Sequence, residues 1–199
     1  MGANAAVIKR LTVYLQFLRQ LPPEPSHISA TTIAKSIGYG DVQVRKDLAS
    51  VSGEGKPKTG YEIENLKKAL ENYLGFNSPK KAVIVGAGKL GTALLGFDEF
   101  SHWGLEIAAA FDIKKRSQHS DKPIYPMSKF KEFCEKENIK IAIITVPAFS
   151  AQQVCDMICE TNVKAIWSFA PTHLYVPEGI TVQYENMAAS LATISCSID

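Results

Sequence analysis

The sequence predicts an α/β protein, with a small helical domain in front of a doubly wound parallel sheet and one helix behind it. Strand-like and helix-like segments alternate from Lys81 onward, which is typical of a parallel sheet with helices on both faces. Before them, short helical segments end near residue 51 and lead into a loop rich in glycine and lysine. The sheet and the helices before it therefore form separate domains.

The composition is that of a globular protein with two modules. Hydrophobic residues make up 46% of the 199 residues, which supports a buried core. Residues 1–80 carry 11 Lys and Arg against 7 Asp and Glu, a net charge of +4, whereas residues 81–199 carry 11 against 13, a net charge of −2. A basic first part before an acidic second part indicates modules with different partners.

The cysteines indicate a reducing compartment. They form no CxxC pair and no cluster with histidine, so we predict reduced thiols, no metal site and a cytoplasmic protein. No signal peptide or membrane-length apolar segment is visible, and no membrane partner is expected. The four cysteines are Cys134, Cys155, Cys159 and Cys196.

Helical periodicity predicts three helices in the N-terminal part. The first covers residues 7–21 and ends at a pair of prolines. The second covers residues 28–37 with Ser29 as its N-cap, and Asp41 is predicted to cap a third helix over residues 42–51. The buried stripe of the third helix is predicted to be Val44, Leu48 and Val51.

The second and third helices form a helix-turn-helix pattern, and the segment behind them fits a wing. The wing is the loop of residues 52–60, with a strand predicted at Tyr61–Ile63 and another helix over residues 64–74. Basic and amide side chains lie on the outer face of the third helix, and the loop lysines can reach phosphates or a minor groove. The predicted DNA-binding residues are Gln43, Arg45, Lys46, Ser50, Lys56, Lys58, Gly60 and Tyr61. The alternative is a helical cap with a solvated charged face.

The stretch Lys81–Asp112 has the order of a dinucleotide-binding fingerprint: strand, glycine turn, helix, strand, acidic residue. The turn reads Gly-Ala-Gly-Lys-Leu-Gly over residues 86–91. Gly86 permits the tight turn, and Gly88 lets the backbone approach a pyrophosphate. Gly91 lets the following helix, whose N-terminus faces the phosphates, pack on the strand. We therefore predict a Rossmann-like domain that binds a nucleotide; the alternative is a glycine-rich turn that binds nothing.

Asp112 sets the predicted choice of cofactor. It lies 21 positions after Gly91, close to the spacing of a carboxylate that accepts from ribose hydroxyls. A carboxylate there repels a 2′-phosphate, which favours NAD⁺ and NADH over the phosphorylated cofactors. Lys114, Lys115 and Arg116 weaken this preference, because they could pair with such a phosphate.

The remaining segments continue the alternation. They are a helix over 128–138, a strand over 140–146, a helix over 151–161 and strands over 163–169 and 180–184. The strand of residues 140–146 ends at Pro147-Ala148, the kind of edge at which open α/β sheets hold ligands. A final helix from Asn186 to about Ser197 is very apolar, and packs either on its own domain or on a partner subunit.

No catalytic constellation is visible. The four histidines are His27, His102, His119 and His173, and none has an evident acid–base partner. His173, which follows a strand end, is the best candidate base. A small NAD-dependent oxidoreductase with a helical appendage therefore remains the alternative function, and a CoA-ligase-like nucleotide-binding fold is a third possibility. We predict no catalytic residues and no enzyme.

Taken in order, these motifs resemble the Rex family of redox-sensing transcriptional repressors over nearly the whole chain. They are QVRKDL at 43–48, a wing ending in Gly60-Tyr61, GAGKLG at 86–91, Phe111-Asp112, TVPA at 145–148 and FAP at 169–171. The resemblance implies a homodimer that binds operator DNA through its winged helices and senses NADH against NAD⁺ in its Rossmann domains. NADH would release the DNA, and the last helix would be exchanged between subunits.

The resemblance also assigns roles by position. The three turn glycines would hold the pyrophosphate and Asp112 the adenosine ribose, with Phe169 and Pro171 near the nicotinamide. The whole predicted cofactor site is Gly86, Ala87, Gly88, Lys89, Leu90, Gly91, Asp112, Ile113, Thr145, Val146, Pro147, Ala148, Phe169 and Pro171. The implied domains are a winged helix at 1–78, a Rossmann domain at 79–185 and a C-terminal helix at 186–199.

Several positions depart from the family pattern: residues 49–52 behind the recognition motif, residues 55–58 in the wing, Ser168, and the pair Gln16 and Asn186. The family often places an Arg in its first helix and an Asp before its last helix, and these can pair between subunits. Here the two positions are Gln16 and Asn186, so an amide pair would replace the ion pair.

Overall fold

A computed structural model describes residues 4–114 and 121–198. The chain divides into two compact units, Met1–Ser78 and Pro79–Asp199. Within the described residues, no helix is both long enough and apolar enough to cross a membrane. Lys115 and Arg116, which bear on the choice of cofactor, lie outside the described residues.

The first unit is a winged helix-turn-helix. Its elements are α1 (Ala5–Arg19), β1 (His27–Ile28), α2 (Ala30–Ile37), α3 (Asp41–Ser52), β2 (Tyr61–Glu62) and α4 (Ile63–Leu74). The two short strands pair antiparallel at the base of the wing. The apolar residues of the helices meet in one core and are fully buried: Leu11, Tyr14, Leu15, Leu18, Ile33, Val44, Leu48 and Leu70.

The N-cap of α2 agrees with the prediction, and the N-cap of α3 does not. The side chain of Ser29 accepts from the backbone N–H of Thr32 at 3.0 Å, which confirms the predicted N-cap of α2. The prediction that Asp41 caps α3 is wrong, because Gly40 is the N-cap and Asp41 is the first helical residue. Its carboxylate accepts instead from the hydroxyl of Thr31 at 2.8 Å.

The α3 stripe also differs from the prediction. Val44 and Leu48 are buried as expected, whereas Val51 is only half-buried. Asp47, a charged residue, is buried on the same face. The short strand β1 was not predicted, since two residues are too few to show alternation.

The second unit contains, within its described part, a six-stranded sheet in which neighbouring strands are parallel. The strands are β3 (Lys80–Val85), β4 (Leu105–Asp112), β5 (Ile124–Pro126), β6 (Ile141–Ile144), β7 (Ala165–Ser168) and β8 (Thr181–Tyr184). Their order is β5-β4-β3-β6-β7-β8. This is the doubly wound Rossmann order, in which the chain first builds one half of the sheet and then returns to build the other.

Helices cover the sheet on both faces. They are α5 (Lys89–Leu95), α6 (Phe130–Lys136) and α7 (Ala148–Cys159), with 3-10 turns at Asp98–Trp103 and Met127–Lys129. A further helix, α8 (Met187–Ser195), follows the last strand. Alternation along β3 separates two cores: Val83 and Val85 face one, and Ala82 and Ile84 face the other.

Two helices differ from their predicted bounds. In place of one helix over 128–138 the structure has a 3-10 turn followed by α6, and α7 begins three residues earlier than predicted.

The last helix, α8, lies on the surface of its own chain. The side chain of Asn186 caps it by accepting from the backbone N–H of Ala189 at 3.0 Å. None of its described side chains is buried, and Met187, Leu191 and Ile194 are 58% to 64% exposed. The structure therefore contradicts the alternative in which this apolar helix packs on its own domain.

Candidate functional site

A cleft of about 570 Å³ opens at the carboxyl ends of β3, β4 and β6. It lies beside the point at which the strand order reverses, where doubly wound sheets bind their ligands. The lining residues are Val85, Gly86, Gly88, Phe111, Asp112, Ile113, Lys114, Met127, Thr145, Val146, Pro147, Phe149, Ser150, Gln153, Val154 and Met157. We call this the glycine-turn cleft.

Close packing explains two glycines of the turn. Gly86 has a φ of +105°, and a Cβ there would lie 2.8 Å from Cγ1 of Val146. A Cβ on Gly91 would lie 1.9 Å from the carbonyl oxygen of Gly86, so α5 can approach β3 only without a side chain. Gly88 differs, because nothing lies within 4 Å of where its Cβ would be, and this open side borders the cleft.

Thr145 holds the turn from the neighbouring strand end. Its hydroxyl donates to the carbonyl oxygen of Gly86 at 2.6 Å and lies 3.3 Å from that of Val85. The side chain predicted to line a cofactor therefore also fixes the path of the turn.

Asp112 closes the turn from the other side. One carboxylate oxygen accepts from the backbone N–H of Ala87 at 2.9 Å, and the other accepts from that of Lys114 at 2.7 Å. The side chain is buried yet borders the cleft. Each carboxylate oxygen has two lone pairs and can accept more than one hydrogen bond.

Apolar side chains form the wall of the cleft. Phe149 and Ile113 are 91% and 85% exposed at its rim, and Met127, Val154 and Met157 lie deeper. Such a wall suits a flat heteroaromatic ring. Sequence reasoning missed the α7 contribution because it began this helix at Ala151. A start at Ala148 would have aligned Phe149, Gln153 and Met157 at helical spacing.

The other predicted cofactor residues lie outside the lining of this cleft. Ala87 and Gly91 are buried beneath the turn, and Lys89, Leu90 and Ala148 sit on the first turns of α5 and α7. Phe169 and Pro171 line a second cleft of about 550 Å³ at the carboxyl ends of β7 and β8, beside the start of α8.

No acid–base or metal centre accompanies these clefts in the described residues. His27, His102 and His173 do not line the glycine-turn cleft, and His119 lies outside the part of the chain that the structure describes. His173 borders the second cleft and stacks on Tyr184, with ring centroids 5.5 Å apart. Among the described residues, no group of His, Cys, Asp and Glu could hold a metal ion.

Two of the cysteines, Cys134 and Cys155, are buried and free. Burial raises the pKa of the Cys134 thiol to about 12 and that of the Cys155 thiol to about 12. Both are therefore protonated at neutral pH and behave as small apolar side chains.

In the first unit, a concave surface of about 570 Å³ runs between α2, α3 and the wing. It is lined by Ser29, Ala30, Thr31, Arg45, Lys46, Ala49, Glu54, Gly55, Lys56, Lys58, Gly60 and Tyr61. We call it the cationic groove, because two lysines of the wing and two basic residues of α3 line it. It brings together six of the eight predicted DNA-binding residues. Gln43 and Ser50 do not line it.

The wing is a tight hairpin tied to the base of the domain. The backbone N–H groups of Lys56 and Gly60 each donate to the carbonyl oxygen of the other residue, at 2.9 and 2.8 Å. Lys58 stands at the tip with a φ of +68°. A Cβ on Gly60 would lie 2.3 Å from the carbonyl oxygen of Ile28, so glycine is required where the wing joins β1.

A buried carboxylate anchors α3 to α1. Arg10 donates to the two oxygens of Asp47 at 2.6 and 3.0 Å. The hydroxyl of Tyr14 donates at 2.9 Å, and the amide of Gln43 donates at 2.8 Å. Burial opposes ionisation, but these hydrogen bonds outweigh it and hold the pKa of Asp47 below its ordinary value. Sequence reasoning missed this network, although an acidic residue on the apolar stripe of α3 was a signal for it.

Together the two units define a protein that joins a DNA-binding type of domain to a dinucleotide-binding type of domain. The model of the family "Putative DNA-binding protein N-terminus" matches residues 5–49, and that of the family "CoA binding domain" matches residues 77–172. The chain belongs to the Rex family of redox-sensing transcriptional repressors. It is 37% identical to the Rex repressor of Treponema denticola over 194 residues, which cover 96% of this chain and 92% of that protein.

Other members of the family align over nearly the same span. The chain is 34% identical to the Rex repressor of Clostridium acetobutylicum over 197 residues, covering 97% of this chain and 92% of that protein. A solved structure, "RSP in complex with beta-NAD+ and operator DNA", matches with a TM-score of 0.92 and 29% identity, covering 100% and 93% of the two chains. RSP in complex with beta-NADH matches with a TM-score of 0.88 and 28% identity, covering 100% and 95%.

Proposed function

We propose that this chain represses transcription by binding operator DNA in its cationic groove, and that NADH in its glycine-turn cleft releases the DNA. The observation that carries this proposal is the glycine turn, held by Thr145 and Asp112 beside an apolar wall, in the same chain as the cationic groove. The similar protein RSP, whose structures contain NAD⁺ with operator DNA in one case and NADH in another, supports it.

The glycine-turn cleft suits a dinucleotide bound in one particular orientation. The open side of Gly88 leaves room for a pyrophosphate, and the Asp112 carboxylate can accept from the adenosine ribose. The adenine would lie against Ile113 and Phe149, and the nicotinamide end would extend toward Phe169 and Pro171. The Asp112 charge favours NAD⁺ and NADH over cofactors with a 2′-phosphate.

The cationic groove suits a DNA backbone. Arg45 and Lys46 project from α3, and Lys56 and Lys58 project from the wing, so positive charge lines both sides. Phosphate contacts from such side chains give affinity, and the outer face of α3 would read bases. Gln43 and Ser50 would act at the edge of this interface.

We also propose a homodimer in the cytoplasm. The apolar side of α8 has no cover from its own chain, and a partner subunit would bury it. The domain boundaries implied by the sequence, 1–78, 79–185 and 186–199, suit this assembly, because the last segment would belong to the dimer contact.

We propose no catalytic step. NADH and NAD⁺ differ in charge and in the planarity of the nicotinamide ring, so a close-fitting pocket can distinguish them without chemistry. Steady oxidation of NADH with a small carbonyl compound would instead support the oxidoreductase alternative, with His173 as its base.

The experiment is a titration of the full-length protein against a fluorescent duplex recovered from random sequence by selection without nucleotide. Binding is measured by anisotropy at one salt concentration, alone and with excess NAD⁺ or NADH. We expect tight binding that NADH abolishes and NAD⁺ does not. Binding that ignores both nucleotides, or no selected duplex, would contradict the proposal.

A further inference from the structure

Val42 is an exposed aliphatic residue in the first turn of α3. Its side chain is 65% exposed, whereas Val44 and Leu48 of the same helix are fully buried. Val42 therefore contributes little to the core of the first unit, and its apolar side chain is accessible to a binding partner.

The position of Val42 on α3 ties it to the cationic groove. Val42, Lys46 and Ala49 are spaced i, i+4 and i+7, so they share one face of the helix. Lys46 and Ala49 line the groove, and Val42 continues their row toward the start of the helix. In helix-turn-helix proteins, the N-terminal residues of this helix reach the base edges.

Hydrogen bonds hold the side chains of the two polar residues next to Val42. The Asp41 carboxylate accepts from Thr31 at 2.8 Å and from Arg45 at 2.7 Å. The amide of Gln43 donates to Asp47 at 2.8 Å. Between these two tethered side chains, Val42 presents an apolar surface, with the basic side chains of Arg45 and Lys46 one turn further along α3.

We propose that Val42 packs against the 5-methyl group of a thymine in the major groove and so determines one base of each half-site. This inference rests on the proposed DNA-binding function. The basic residues around Val42 favour DNA over an apolar protein partner, and the thymine methyl group is the apolar feature of the major-groove edge. A base without this methyl group would leave the side chain of Val42 facing a polar edge.

The test uses the duplex recovered by selection with the full-length protein. Each thymine is replaced in turn by deoxyuridine, which removes only the 5-methyl group. We expect one thymine in each half-site at which the replacement weakens binding about fourfold, the factor expected when one buried methyl group is lost.

The variant V42A links this thymine to the side chain. We expect V42A to bind the unmodified duplex more weakly, and to show no further loss when deoxyuridine replaces that thymine. The slope of affinity against salt should stay the same, because Val42 contacts no phosphate. Alanine has a higher helix propensity than valine, so V42A should fold.

The control variant I8A truncates another exposed aliphatic side chain of the same unit, on α1. It should keep the full deoxyuridine effect. If the wild type binds its duplex tightly but no deoxyuridine weakens binding, or if V42A keeps the same deoxyuridine effect, the role of Val42 is wrong. If no duplex is bound at all, the proposed function itself fails.

Discussion

At the scale of residues, Asp47 shows how a charge can be accommodated in the small core of the first unit. Its carboxylate is nearly buried and receives hydrogen bonds from Arg10, Tyr14 and Gln43. Removing either the carboxylate or its partners would leave polar groups without hydrogen bonds in an apolar environment. The network therefore fixes α3, which carries the groove residues, against α1.

We predict that D47N lowers the free energy of unfolding of the protein by about 2 kcal/mol near neutral pH, because it weakens the hydrogen bonds that the nearly buried carboxylate accepts from Arg10 and Tyr14. Urea unfolding followed by circular dichroism measures this. The matched control is D41N, whose ion pair with Arg45 lies at the surface and should contribute less than about 1 kcal/mol. Equal effects of the two variants would contradict this role of Asp47.

The Asp47 network also predicts a dependence on pH. The pKa of Asp47 is lower in the folded protein than its ordinary value of about 3.9, so the unfolded chain binds this proton more readily. The stabilisation is therefore fully present above about pH 4 to 5 and is lost as the pH falls through the folded pKa. Unfolding measured between pH 7 and pH 3 should show the difference between wild type and D47N shrinking in acid; a constant difference would contradict the assignment.

Gly91 gives a prediction for the cleft. In G91A the new Cβ would lie 1.9 Å from the carbonyl oxygen of Gly86, a backbone atom, so the turn must move. We expect at least a tenfold loss of NADH affinity, measured by NADH fluorescence. G96A is the control, because a Cβ there has no neighbour closer than 3.9 Å, and it should bind like the wild type. NADH binding by G91A at wild-type affinity would contradict this account of the turn.

The glycines and Asp112 could be predicted from the sequence because their spacing is set by one local strand–turn–helix unit. The second role of Thr145 could not, since its hydrogen bond to Gly86 crosses between strands 59 positions apart in the chain. Asp47 was missed for the same reason: its partner Arg10 comes from another helix.

At the scale of elements, α8 has an apolar surface that the described residues of its own chain leave exposed. Met187, Leu191 and Ile194 are spaced i, i+4 and i+7 and form one exposed stripe. An apolar stripe of this kind marks a protein contact.

We predict that the double variant L191D/I194D dissociates the proposed homodimer, because each carboxylate would be buried without a partner at the contact. Sedimentation velocity measures the mass in solution. The control A189D/T193D adds the same charge to the opposite side of α8 and should remain dimeric. A stable dimer of L191D/I194D would contradict the proposed contact.

The ends of elements were harder to predict than their existence. The sequence predicts a strand that ends at Pro147-Ala148 and a helix that starts at residue 151. In the structure Pro147 is itself the N-cap and α7 begins at Ala148. This shift of three residues left Phe149 outside the predicted helix, and Phe149 was therefore not placed at the cleft.

At the scale of the whole molecule, the proposal is one of coupling between two binding sites. A ligand can shift an equilibrium between two states only by the difference in its affinity for them. The ion pair implied by the family resemblance cannot form here, because Gln16 and Asn186 are uncharged, and Asn186 already caps α8. The proposed preference of NADH for the released state would therefore come from other contacts.

The fold class, with a winged helix before a doubly wound parallel sheet, and the family could be predicted, because they follow from motifs that lie in sequence. The location of Phe169 and Pro171 could not. They follow β7, which is separated from β3 by β6, and so they line the second cleft. The spacing of residues along the chain does not show which cleft at the edge of the sheet each residue will line.

The central claim is most directly tested by measuring NADH affinity with and without saturating operator duplex. Linkage requires that DNA weaken NADH binding by the same factor as NADH weakens DNA binding. We predict a loss of at least tenfold in NADH affinity on the DNA complex, and a much smaller change for NAD⁺. A DNA complex that binds NADH as tightly as the free protein does would contradict the account.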